Sequence, residues 1–350
     1  MAKDFCILHM SDAHFGIRDD HGQQTAVAKA QIQAAHKAGL VPDLCVFSGD
    51  IAQSSEPEQL AQGEAFLKSL LEPWPKAALV VVPGNHDIAR RHTDGPYFRA
   101  IAASSDVYHG WKLTSGAKLS QFDAFFGWHQ QAKGQVPLIS EWSAGKPYAF
   151  RRSFNWDGMP IHVVGVNSSL FCCDNMDEGQ LVIDVKSLRD ELNTASDVGG
   201  LVLAISHHPL SNLVAWNREI VQQNLRQAQG AHVLLHGHLH KHEGSEEANT
   251  TGQQLAILGA GASFQGKVVT GNAFAFYTVC FDDIAIKSHV LEYSGDSGQW
   301  HYDGSRSNDI YLGIPRPSPA LAALRESFQR WAFAAQAKQG QAGKGEIRSQ

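Results

Sequence analysis

The stretch "AHVLLHGHLHKH", Ala231–His242, decides how this chain is read. An apolar strand ends in a row of alternating imidazoles, His236, His238, His240 and His242, with His232 ahead of them. Such a row is a surface accident, a tag remnant or half of a metal site, and the rest of the chain must decide. Working outward, the same arrangement recurs. Asp12 and His14 follow the apolar run Phe5–Met10, and Asp50 closes "DLCVFSGD". Asn85, His86 and Asp87 close "AALVVVPGNHD", and His207 and His208 follow "LVLAIS". In an open α/β sheet, ligands bind at the carboxyl ends of the strands. Five loops therefore deliver ligand-type side chains to one edge.

The spacing between these runs predicts an α/β fold. Helices are expected at Gln23–Lys37, closed by Gly39, and at Pro57–Leu71, where Leu60, Leu67 and Leu71 recur at helical spacing. The resulting βαβαβ order calls for parallel strands with right-handed crossovers. Residues 90–147 break the rhythm as a helical insertion and a candidate cap. There Leu119, Phe122, Phe125 and Phe126 form one apolar face, read as insertion core. Beyond it, strands are expected at Tyr148–Phe154, Ile161–Asn167, Leu201–Ser206 and His232–His236, with helices at Gln180–Leu192 and Leu213–Gln227. Runs near Gln254–Leu258, Ala273–Phe281 and Ile284–Leu291 read as a second, mostly antiparallel set. Two mixed sheets stacked face to face, with helices outside, accommodate these elements. The expected catalytic domain is 1–295. An extension, 296–350, holds a helix at 319–336, N-capped by Ser318, and a flexible tail. That helix is an expected docking element for its own domain, a second copy or a partner.

Composition narrows the class. Of 350 residues, 43% are hydrophobic and 18% charged, which is ample for a folded core. A net charge of -6 argues against a protein that merely coats nucleic acid. Eighteen histidines point to metal or acid–base chemistry. Cys6, Cys45 and Cys280 sit in apolar runs, and Cys172-Cys173 is an adjacent pair unsuited to an ordinary disulfide. A reducing cytoplasm is the expected location. The apolar run near the N-terminus is too short for a signal peptide, and no stretch approaches the roughly 20 residues of a membrane span.

Carboxylate, imidazole and amide oxygen suit five- or six-coordinate manganese, iron, cobalt, nickel or zinc. In order, the blocks read "SDAH" (11–14), "GD" (49–50), "GNHD" (84–87), "SHHP" (206–209) and "GHLH" (237–240). This series resembles the calcineurin-like metallophosphoesterase superfamily, whose fold is a four-layer αββα sandwich. "GDIAQSSEPEQ", where the protein phosphatases read GDYVDRG, looks more like the bacterial cyclic-nucleotide (class III) phosphodiesterase branch. The resemblance implies two divalent metal ions, with manganese favoured. One ion would take Asp12, His14, Asp50 and His240, the other Asp50, Asn85, His207 and His238, and Asp50 would bridge them. His86 would steady the transition state and protonate the leaving oxygen, with Asp50, Asn85 and His86 forming the catalytic group. The implied reaction is in-line attack of a bridging hydroxide on a small phosphodiester or nucleotide held by Asn85 and His86.

The neighbouring residues have plainer readings. His9 is structural, His232 and His242 are packing or surface residues, and Asp87 is a loop hydrogen-bond acceptor. Arg90 and Arg91 follow the GNHD loop, and Arg90 is a weak candidate for a substrate phosphate against the simpler reading of a solvated turn. The segment "CCDNMDEG", 172–179, is either a loop near the site or an acidic surface loop. Two other functions fit the same motifs: a nuclease, which the net charge disfavours, and a non-catalytic metal-bound sensor or scaffold.

Overall fold

The computed structural model describes residues 4–311, apart from 18–22, 116–118, 175, 228, 249–253, 266–271, 282–284, 306 and 308. The first apolar run forms β1 (Phe5–Met10), and all six of its residues are buried. Burial on both faces marks a strand with a helix layer on one side and a second sheet on the other. α1 (Gln23–Lys37), β2 (Leu44–Phe47), α2 (Pro57–Leu71) and β3 (Ala78–Val81) follow in the expected order. The two helices have the expected bounds: α2 opens with proline in its first turn, and Gly39 follows α1 at φ +73°.

The insertion is helical. It holds α3 (Gly95–Ala102), α4 (Ser105–Ser115) and α5 (Asp123–Ala132). Leu119, Phe122, Phe125 and Phe126 are buried as expected, but Phe122 belongs to a 3-10 turn ahead of α5 and stacks on Phe126 with centroids 5.4 Å apart. The insertion also ties the two halves of the molecule together. Pro137–Ile139 runs beside β3 through Leu79, and the Trp142 indole donates to the Val81 carbonyl at 2.7 Å. On the other side, Tyr108 and Lys112 of α4 donate to the buried Asp184 carboxylate at 2.5 and 2.6 Å.

The remaining elements are β4 (Ala149–Trp156), β5 (Met159–Val166), α6 (Val185–Val198), β6 (Leu201–Ile205), α7 (Ala215–Arg226) and β7 (Val233–His236). They are followed by β8 (Glu243–Ala248), β9 (Gln254–Gly259), β10 (Ala273–Cys280), β11 (Ala285–Ser294), β12 (Gln299–Tyr302) and β13 (Asp309–Tyr311). One sheet runs β12-β11-β10-β1-β2-β3, with β13 also on β11, and the other runs β4-β5-β6-β7-β9-β8. Strands β1-β2-β3 are parallel, as are β5-β6-β7-β9. The sheets meet where the Phe5 ring lies 6.0 Å from Phe154 and 5.6 Å from Trp156.

Three expectations are corrected. The late strands do not form a separate antiparallel set: β9 pairs parallel with β7, while β10 pairs antiparallel with β1. An apolar run records that a strand is buried but not which neighbour it has. α6 starts at Val185 rather than Gln180, because Asp184 caps it by accepting from Ser187 N at 2.9 Å. Leu181 pairs instead with Leu213, which delays α7 to Ala215. The first sheet also continues past residue 295 through β12 and β13. The expected helix at 319–336 and the tail lie outside the described residues. Among the described residues no helix is long and apolar enough to cross a membrane.

Candidate dinuclear metal centre

The five motif loops leave β1, β2, β3, β6 and β7 at their carboxyl ends and converge where the two sheets abut. Cross-sheet hydrogen bonds fix the junction. His207 Nδ1 donates to the Ser48 carbonyl at 2.7 Å, and His238 N donates to Asp12 Oδ2 at 3.0 Å. A carbonyl can only accept, so Nδ1 of His207 carries the hydrogen and Nε2 is the nitrogen turned to the centre.

All seven expected metal ligands gather here. In one half, Asp12 Oδ1 lies 3.7 Å from His14 Nε2 and 3.3 Å from His240 Nε2, and these two nitrogens are 3.4 Å apart. In the other half, His207 Nε2 lies 3.3 Å from Asp50 Oδ2 and 3.0 Å from Asn85 Oδ1. The His238 donor atom groups with those of His207 and His208, all within 4.8 Å of one another. Asp50 Oδ2 is common to both halves, being 3.9 Å from His14 Nε2 as well. Two donors about 2.1 Å from one cation are roughly 3.0 Å apart at a right angle and about 3.4 Å apart at the tetrahedral angle. The His14–His240, Asp12–His240, Asp50–His207 and Asn85–His207 spacings fall in that range, and the two from His14 Nε2 to Asp12 and Asp50 are wider, at 3.7 and 3.9 Å. Asp12 Oδ1 is buried without a hydrogen-bond partner, and two imidazole nitrogens face each other across 3.4 Å. Those contacts fit a divalent cation held between them.

The backbone is strained at these residues. Seven non-glycine residues among those described have positive φ, and five of them are Asp12, His14, Asp50, His238 and His240. Each such residue costs on the order of 1–3 kcal/mol, which persists where the surroundings over-determine it. The motif glycines are required by close approach. A Cβ on Gly84 would overlap Asp50, and one on Gly237 would overlap Ser11.

Asp87 holds two of the loops together, as its reading as an acceptor anticipates. Its carboxylate accepts from Asp50 N at 2.7 Å, Ala52 N at 2.9 Å and Gly84 N at 2.9 Å. Burial, then the Asp50 charge, pushes it up to about 7 against those donors. Asp87→Ala should leave three buried N–H groups without an acceptor and destabilise the fold by about 3 kcal/mol or more. Asp87→Asn keeps one acceptor oxygen and should cost less. Denaturant unfolding of the two variants measures this, and equal losses would contradict it.

Burial opposes charge throughout the site, yet two histidines resist it. His207 is lifted to about 9 because the Asp50 carboxylate outweighs its burial, and His240 is raised in the same way by Asp12. Burial lowers His14 and His238 to about 4. Burial would raise Asp12 and Asp50, but His240 and His207 respectively hold them below the usual carboxylate range. In the metal-free chain the two carboxylates thus favour positive charge on His207 and His240, at the positions that suit cations. His207 is raised above its unfolded value near 6.5, so its stabilising contribution is complete below about pH 6.5 and is lost as pH rises through about 9. Metal must displace the same proton, so metal affinity should rise over that interval. Melting curves between pH 6 and 9.5 should show chelated protein weakening and manganese-loaded protein strengthening relative to it; parallel pH dependences would contradict this.

The remaining candidates separate clearly. His86 borders the centre, with its ring 4.8 Å from that of His14, and its backbone N donates to Asp50 Oδ1 at 2.7 Å. His208 bonds Ser168 through Nδ1 at 2.9 Å, with Nε2 3.7 Å from Cys172 Sγ, while a ring nitrogen stays within 4.8 Å of the His207 and His238 donors. His9 is buried and bonds Ser48, while His242 stacks on Tyr277. Half-buried His232 accepts from Val202 N. Arg90 donates to the Asn85 carbonyl at 2.9 Å and borders a cavity beside His86, while Arg91 pairs with Glu56 at the surface.

Sequence reasoning left the surroundings of the centre open. The centre opens into a cavity of about 320 Å³, whose lining includes Asp174, Asp177, Glu178, Ser211, Asn212 and Leu239. The 172–179 segment is therefore a loop at the site. A short acidic stretch carries no periodicity that separates it from a surface loop.

The family model of the calcineurin-like phosphoesterases matches residues 6–242. The chain belongs to that family. A cAMP/cGMP dual-specificity phosphodiesterase of Mycobacterium tuberculosis is 36% identical over 91 residues, which is 24% of this chain and 27% of that protein. The match therefore spans about a quarter of that relative's length. Among solved structures, GAP50, the anchor in the inner membrane complex of Plasmodium, superposes with a TM-score of 0.50 at 13% identity, over 93% of this chain and 95% of that one. Purple acid phosphatase PPD1 from yellow lupin (Lupinus luteus) seeds gives 0.49 at 12% identity, over 86% and 53%. The likeness to GAP50 shows a shared fold. The donor set described above lies within the span that matches the phosphoesterase family.

Proposed function

We propose that this calcineurin-like phosphoesterase is a dinuclear-metal phosphodiesterase that hydrolyses small diesters, cyclic nucleotides foremost. The observation that carries the reading is the Asp50 Oδ2 atom shared by two donor sets, with His86 beside them. Asp12, His14, Asp50 and His240 would hold one ion, and Asp50, Asn85, His207 and His238 the other. Divalent ions there would supply Lewis acidity, polarising a phosphoryl oxygen and lowering the pKa of water from 15.7 toward about 7. The stretch of 36% identity to a cyclic-nucleotide phosphodiesterase supports the choice of substrate.

The chain's own groups do the rest. His86 Nδ1 donates to the Gln53 carbonyl at 2.7 Å, which orients the ring and leaves Nε2 as the nitrogen that exchanges protons. A protonated His86 then gives its Nε2 proton to the departing alkoxide. The Asn85 carboxamide positions the phosphoryl group beside His207, and Arg90 steadies Asn85 through its carbonyl.

The test is hydrolysis by manganese-loaded protein of 3′,5′-cyclic AMP, 3′,5′-cyclic GMP, bis-p-nitrophenyl phosphate and single-stranded DNA. Turnover of the cyclic nucleotides with little or none of DNA is expected. DNA as the preferred substrate moves the reading to a nuclease. Inertness toward all four with every divalent metal sinks it.

A further inference from the structure

Beyond the donor set, the cavity lining carries information about the substrate's arm. Two segments build this wall, the 172–179 loop and the 3-10 turn Leu210–Asn212 that follows the SHHP motif. They are joined where Leu181 N donates to the Asn212 carbonyl at 3.0 Å and Val214 N donates to the Leu181 carbonyl at 2.9 Å. Asn212 is 3% exposed, lines the cavity, and its carboxamide has no hydrogen-bond partner among the described residues. An amide at a cavity wall can both donate to and accept from a ligand group there. Around it, Asp174 is engaged by Arg99 at 2.6 Å, whereas the Asp177 carboxylate accepts from Cys173. Among the described residues, exposed Glu178 has no ion pair and no lysine or arginine lines this cavity.

The wall therefore offers carboxylate and amide acceptors, a hydroxyl and an amide donor, while the nearby guanidinium groups, Arg99 on Asp174 and Arg90 acting on Asp174 and Asp177, stand outside its lining. The phosphate's own charge is met at the donor set, but a second anionic group on the arm would face carboxylates. We propose that Asp177, Glu178, Ser211 and Asn212 form the subsite for a hydrogen-bond-donating, non-anionic arm of the phosphodiester and set specificity against arms that carry a second negative charge. This rests on the phosphodiesterase reading and names the class of substrate that reading leaves open. Hydroxyl and ammonium groups share the required chemistry, and the experiment separates them.

The full, manganese-loaded chain is given four p-nitrophenyl phosphodiesters with arms of similar length: butyl, 4-hydroxybutyl, 4-aminobutyl and 3-carboxypropyl. The expected kcat/KM order places 4-hydroxybutyl and 4-aminobutyl above butyl, and butyl above 3-carboxypropyl, with about tenfold between the extremes. Equal gains for hydroxyl and amine assign a hydroxylated arm; a gain confined to the amine assigns a cationic one. Exposed Glu178 can be reversed without touching the core, and Glu178→Lys should cut the aminobutyl-to-carboxypropyl ratio by about tenfold or more. Both readouts are ratios within one preparation, so metal occupancy cancels. Four substrates within twofold of each other, or a ratio that Glu178→Lys leaves unchanged, overturns the subsite while the phosphodiesterase stands. No turnover of any of them, bis-p-nitrophenyl phosphate included, overturns the phosphodiesterase reading and this one with it.

Discussion

Asp50→Asn is expected to lower kcat/KM for bis-p-nitrophenyl phosphate by on the order of 10³-fold or more, and bound manganese from two ions per chain toward one or none. Asp50 Oδ1 accepts from His86 N, so the new amide nitrogen takes the place of Oδ2, the atom shared by the two donor sets. An NH2 group there has no lone pair for a cation and points hydrogens at His207. The substitution also removes one of the two carboxylates, Asp12 and Asp50, that would balance the charge of cations held there. Size is unchanged, and the backbone N of Asp50 stays anchored on Asp87, so the fold should persist. Metal analysis beside the rate measurement checks the result. Activity within tenfold of wild type, with two ions still bound, would remove Asp50 from the bridging role.

His86→Ala is expected to cost about 10²- to 10⁴-fold, with the size of the loss set by the leaving group. A p-nitrophenolate departs readily without a proton, whereas the alkoxide of a cyclic nucleotide or an alkyl diester does not. The loss should therefore be at least about tenfold smaller for bis-p-nitrophenyl phosphate than for a dialkyl or cyclic substrate. The His86 ring accepts no hydrogen bond that the centre needs; its Nδ1 donates to Gln53, while the contact to Asp50 comes from the backbone N, which alanine retains. Metal content should stay near the wild-type value. Equal losses across leaving groups would deny His86 the role of general acid and leave it an electrostatic one.

Much of this molecule was legible in order along the chain. The runs Phe5–Met10, Leu44–Phe47 and Ala78–Val81 are short, apolar and followed at once by Asp12, Asp50 and Asn85, so strand, direction and polar end could be read together. α1 and α2 were equally legible, because their faces repeat at helical spacing and end at Gly39 and Leu71. Such features are local, and sequence records local periodicity directly. The insertion's core was legible for the same reason, although the split of Phe122 and Phe125 between a turn and a helix was not.

The neighbours of each element were not legible. β9 joins one sheet and β10 the other, a choice of neighbour that an apolar run does not encode. Sequence by itself determined the fold class, the ligand-type residues and the loops that carry them. Only the tertiary structure decided that Asp50 Oδ2 faces His14 and His207 at once, that His208 bonds Ser168, and that Asn212 and the 172–179 loop share a wall of one cavity. The physical reason is that a site is a set of distances between segments far apart in sequence. Those distances follow from sheet register, left-handed turns and cross-strand hydrogen bonds, none of which leaves a periodic trace in the chain.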